Sequence, residues 1–159
     1  MIEATSGRLG IWYWWLATVY GASCVVGLLL VIAPFSPVMA TYNRALAETF
    51  WNAGDFPDQA RRYHHWAMAV IGSTTAGWAV TNLWILRYAF RDGALWAHRA
   101  LVSGLLTWAV LDLAVSLQLG AYVEAAFVLS AALLALVPLV ATRGLFTRAA
   151  GAASATDVA

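Results

Sequence analysis

Lysine is absent from this 159-residue chain, cysteine occurs once, and charged residues make up only 11% of it. Each shortage excludes something. The lone thiol, Cys24, has no partner for a disulfide, a CxxC motif or a thiolate metal cluster. Nine basic residues, all arginine, against eight acids leave a formal net charge of +1, without the basic excess that draws a nucleic acid. Soluble domains carry about 25% charged residues, so a chain with less than half that share is no soluble domain. The signatures of phosphate, dinucleotide, serine-hydrolase and zinc-protease sites are missing too. The His64-His65 pair runs into Trp66-Ala67-Met68 and does not make HExxH.

What is plentiful is apolar: 62% of the residues, with a mean hydropathy of +0.72. Four apolar runs of about 20 residues or more can be marked, each long enough at about 1.5 Å per residue to cross a hydrocarbon core of about 30 Å. They predict an all-α fold, a polytopic membrane four-helix bundle in one domain over 1–148, with helices at about 11–33, 59–88, 96–119 and 122–142. Residues 149–159, small and polar, read as a disordered cytoplasmic tail. Arg8 before the first run resembles the start of a signal peptide. That run is about 25 residues long and lacks a small-x-small site before Pro34, so it reads as a retained helix.

Pro34 and Pro37 end the first helix, because an interior proline removes a hydrogen bond and clashes with the preceding turn. The connection over 36–62 is the most polar part of the chain. Apolar residues at loose helical spacing over 39–51 predict a short helix lying on the membrane surface. Gly54 and Pro57 close it, and Asp58 stands where it can cap the next helix. In that next helix Gly72, Ser73, Thr74, Thr75, Ala76 and Gly77 form a small-residue segment, which reads as a packing seam. With four crossings, Arg8, Arg87, Arg91, Arg99, Arg143 and Arg148 share one side and Arg44, Arg61 and Arg62 the other. The positive-inside rule then puts both termini in the cytoplasm, in a bacterial inner membrane.

The third run holds one acid, Asp112, behind about nine residues of apolar or small side chains. An ionised carboxylate at such depth costs about 2.5 to 3.5 kcal/mol on insertion scales, so it turns inward and finds a partner. Gly104, Trp108, Asp112 and Ser116 are spaced by four and share a helix face: a small residue, an aromatic wall, an acid and a hydroxyl. The plainer alternative makes Asp112 a bridge to a neighbouring helix, through Arg61, a histidine or a tryptophan N–H. The topology brings Glu124, His64 and His65 to the same outer end. Glu124 suits the positive end of a helix dipole, and beside Asp112 it would complete the carboxyl pair of an acid/base site. Adjacent histidines point about 100° apart on a helix, and His98 belongs to the opposite end, so no haem, metal or other cofactor is expected. Trp12, Trp14, Trp15, Trp66 and Trp96 fall near helix ends, where interfacial belts form. Trp78 and Trp108 lie deeper, as core packing or as walls for a flat apolar ligand.

Gly77-Trp78-Ala79-Val80, Trp96 with Arg99, Leu111-Asp112 with Ser116 and Gly120, and Pro138 with Thr142-Arg143 make a pattern over about residues 60–146. It resembles a widespread family of uncharacterised bacterial four-helix integral membrane proteins. More distantly the chain is similar to the emopamil-binding and sigma-2-receptor (EXPERA-like) group, whose members bind sterol-like ligands in a bundle cavity, some as isomerases. That resemblance implies Asp112 and Glu124 as pocket acids, although the group has two or more deep acids where this chain has one. The expectation is therefore a protein that binds a lipid, sterol-like or isoprenoid molecule in the outer half of the bundle. Trp108, Ser116, Trp78, His64 and Gly104 would line the site. Any catalysis would be cofactor-free isomerisation or cyclisation, with Asp112, Glu124 and His65 as the acid/base groups. The alternative is a non-catalytic subunit or assembly factor, packed in a larger membrane complex or against its own copies.

Overall fold

The computed structural model describes residues 2–156, with side chains described over 10–147. In chain order the helices are α1 (Ile2–Ile32), α2 (Ala40–Trp51), α3 (Asp58–Ile85), α4 (Leu95–Gln118) and α5 (Tyr122–Thr156), with no strand among the described residues. A 3-10 turn, Pro37–Met39, precedes α2, and a π-helical turn, Leu86–Phe90, continues α3. Three segments are long and apolar enough to cross a membrane: Gly10–Ile32, Leu95–Gln118 and Tyr122–Thr147. They fit a multi-pass membrane protein. α3 is more polar, with two arginines and two histidines in its first turns and Ser73, Thr74 and Thr81 further along. The last helix runs to Thr156, over much of the stretch read as a tail, while 157–159 lie outside the described residues.

Two glycines make the tight returns. Gly93 has φ 76° and Gly120 φ 71°, a left-handed conformation that costs glycine little. In both, the glycine N–H and the next N–H reach back to carbonyls of the preceding turn: Gly93 to Phe90 and Ala94 to Ala89, Gly120 to Leu117 and Ala121 to Ser116. This double closure satisfies carbonyls that a helix end leaves open, and it reverses the chain in two or three residues. Asp58 is the first residue of α3, after Pro57, and makes no capping hydrogen bond. Its charge sits at the positive end of the helix dipole instead.

The long helices run up and down. α1 packs chiefly along α3, α4 along α5, and α1 also touches α5. At one end Phe90 of the π turn meets Phe146 of α5 at 4.7 Å, and His98 of α4 meets Phe146 at 5.0 Å. His98 is buried, and its Nε2 donates to the Leu139 carbonyl at 2.8 Å. The α1–α3 crossing is the closest. A Cβ placed on Gly27 would lie 2.6 Å from the Gly72 carbonyl oxygen and 2.8 Å from the Ala76 nitrogen, and a Cβ on Gly72 would collide with the Gly27 carbonyl. The small-residue segment of α3 is thus a seam on one side only. Gly72 is buried, whereas Ser73, Thr74 and Gly77 face outward.

Pro138 lies inside α5 without ending it. Proline has no N–H for the carbonyl one turn back, here that of Leu134. Trp15 of α1 supplies the missing donor, its indole Nε1 lying 2.9 Å from the Leu134 oxygen. Thr142 donates in turn to the Pro138 carbonyl at 2.8 Å. A bare carbonyl facing hydrocarbon is costly, so Trp15→Phe is expected to destabilise the protein by about 1 kcal/mol. In a Pro138→Ala background, where residue 138 regains its N–H, the same change should cost close to nothing. A double-mutant cycle of detergent unfolding measures the difference, and equal costs in both backgrounds would refute the link.

Candidate functional site

α3 and α4 approach closely only through the π turn; toward the other end their backbones stay apart. Large side chains fill the gap. The Trp78 ring of α3 lies 5.9 Å from that of Trp108 on α4 and 5.8 Å, edge-on, from Tyr20 on α1. Gly104, one turn before Trp108, also faces Trp78, whose indole nitrogen would be 3.9 Å from a Cβ there. Gly104 and Trp108 are therefore turned toward α3, and Asp112 and Ser116 continue the row of four-residue steps along α4, each step advancing about 40° round the helix. The Tyr20 hydroxyl of α1 and the Asn82 amide nitrogen of α3 are buried and bond to no protein group among the described residues.

Asp112 is half-buried, and its carboxylate accepts a hydrogen bond from Ser116 at 3.0 Å. That bond lies within one helix. Arg61, considered from sequence as a bridge to Asp112, instead pairs with Asp55 at 2.5 Å and lies over the Phe35 ring. Glu124, also half-buried, accepts a hydrogen bond of 2.6 Å from the Tyr42 hydroxyl of α2. Burial first, and then the Glu124 carboxylate, hold the Tyr42 phenol above its ordinary range, with Asp112 near enough to add to the effect. Tyr42 is consequently a protonated donor at neutral pH. Asp112, Ser116, Glu124 and Tyr42 form one polar group at the end of the bundle where α2 closes over it.

The two histidines separate. His64 is buried and stacks on Phe56 at 4.2 Å. The Asn43 amide donates to the Pro34 carbonyl at 2.8 Å, which turns its oxygen toward His64 Nε2 at 3.0 Å. That arrangement caps the open carbonyl at the end of α1 and ties α2 to α3. His65 is exposed, edge-on to Phe35, and makes no hydrogen bond to either acid among the described residues. A shared base role with Asp112 has no contact behind it.

Sequence reading missed Tyr42 and Asn43. The available signal was their place on α2: Asn43, Leu46 and Ala47 form its buried face, so the neighbouring polar side chains had to bond inward. Among the described residues, no group of three or more histidine, cysteine or carboxylate side chains is placed to hold a metal ion. Comparison with protein families, with curated proteins and with solved structures finds no match for this chain.

Proposed function

We propose that this protein is a four-helix bundle of the bacterial inner membrane that binds a small apolar or amphiphilic molecule, of lipid, sterol-like or isoprenoid type, between α3 and α4. α3 crosses with the others in this reading. It lies along α1 over the Gly27–Gly72 contact, and Ser73, Thr74 and Thr81 return their hydroxyls to carbonyls of their own helix, which lowers the cost of placing them in lipid. Both termini are cytoplasmic by the arginine count, so α2 covers the outer end.

What supports the reading is the wide spacing of α3 and α4, which are bridged by the Trp78–Trp108 ring contact and not by close backbone packing, with Asp112 one turn beyond Trp108 on α4. Glu124 and Asp112 at the mouth provide a carboxyl pair for cofactor-free proton transfer, Asp112 giving the proton and Glu124 receiving one.

The test is extraction and mass spectrometry of molecules retained by the purified full chain. A discrete amphiphile held by the wild type and lost in Trp108→Ala supports the site, whereas equal retention by both would end it. Asp112→Asn keeps the shape and removes the acid. It is expected to retain the guest while lowering any isomerisation of it by about 100-fold or more, and unchanged turnover would reduce the protein to a binder.

A second reading, a subunit packed against other membrane helices, is favoured by the outward face of α3, where Ser73, Thr74, Gly77 and Thr81 present a shallow surface. A stoichiometric partner in mild detergent, with no retained amphiphile, would choose it.

A further inference from the structure

The end of the bundle opposite α2 carries a pair of arginines, Arg87 and Arg91, that meet no acidic side chain among the described residues. Arg87 of the π turn and Arg91, one turn on, are both exposed. Neither pairs with a carboxylate among the described residues, where Arg61–Asp55 is the ion pair formed. Both are nonetheless held in place. The Arg91 guanidinium lies 5.8 Å from the centre of the Tyr13 ring, and Arg87 lies 5.8 Å from that of Tyr88. The two rings are themselves backed: Tyr13 by Trp14 at 5.2 Å, Tyr88 by a parallel stack on Trp84 at 5.1 Å. Trp14, Trp84 and Tyr88 are all more than half exposed.

We propose that Arg87 and Arg91, cradled by Tyr13 and Tyr88, bind the phosphate of an anionic phospholipid whose acyl chains lie against Trp14 and Trp84. Guanidinium groups present planar forks of N–H donors that match phosphate oxygens, and two such forks steadied by aromatic rings lose little freedom on binding. Tyrosine and tryptophan at this level belong to the depth of lipid headgroups. A soluble anion would use the arginines alone; the exposed indoles beside them are of use only to a molecule with an apolar body. The inference rests on the reading of the chain as a membrane-spanning bundle, not on the α3–α4 seam.

The full chain in nanodiscs, probed with spin-labelled phosphatidylglycerol and phosphatidylcholine, tests it. Wild-type protein is expected to restrict phosphatidylglycerol with a preference of about fivefold or more, the worth of at least one arginine at a membrane surface. Arg87→Gln with Arg91→Gln should bring the ratio close to one. Arg99→Gln with Arg143→Gln, which removes as much charge at the same end but outside the cradle, should leave it nearly intact. No preference in the wild type, or an equal loss in both double variants, overturns the proposal. So does displacement of the labelled lipid by inorganic phosphate, which would assign the cradle to a soluble anion. Release of the protein from membranes by alkaline carbonate would instead sink the spanning reading; a protein that stays inserted yet shows no preference sinks this inference alone.

Discussion

Gly72→Leu is expected to cost about 3 kcal/mol or more and to leave little monodisperse protein. The side chain would be driven into the Gly27 carbonyl and toward Leu30 and Val31 of α1, and neither a backbone oxygen nor a β-branched neighbour can step aside. Separating the helices to make room would sacrifice the packing on which association in lipid depends. The control lies five residues on. A Cβ placed on Gly77 would meet nothing within 4 Å, so Gly77→Ala should raise stability by about 0.5–1 kcal/mol through helix propensity. Unfolding in mixed micelles measures both. If Gly72→Leu matched the wild type, α1 and α3 would not cross where they are placed.

His98→Ala should be nearly as damaging, at about 3 kcal/mol. It removes a buried ring from contact with Phe90 and Phe146 and withdraws the N–H that serves the Leu139 carbonyl. His98→Phe separates the two losses. An aromatic of similar size keeps the stack and forfeits only the hydrogen bond, so about 1 kcal/mol is expected. A phenylalanine variant as unstable as the alanine one would mean that the hydrogen bond, and not the ring packing, ties α4 to α5 at this end.

The elements were legible because each is written locally. Pro34 and Pro37 stop α1, Gly93 and Gly120 permit the returns, and uninterrupted apolar runs make the three membrane-competent helices. The spacing of Gly104, Trp108, Asp112 and Ser116 by four was legible for the same reason, since a helix converts that interval into a face. Contacts between distant segments were not. Nothing near Pro138 in the chain says that Trp15 will serve the Leu134 carbonyl, and nothing near Gly27 says that Gly72 will lie against it. The choice of His64 over its neighbour was hidden too: a helix turns adjacent side chains apart, and only Asn43 and Phe56, arriving from α2 and the loop after it, decide which ring is buried.

By itself the sequence determined the parts: three helices long and apolar enough to cross a membrane, with limits set by proline and glycine. Tertiary structure decided the partners. It paired Glu124 with Tyr42, left Asp112 with Ser116, bridged α3 and α4 with two indole rings, and set Arg91 against Tyr13 beside Arg87 and Tyr88. The division has a physical cause. Backbone hydrogen bonding and hydrophobicity act over a few residues and can be read along the chain, whereas a side chain's partner is whatever the folded backbone brings within a few ångströms.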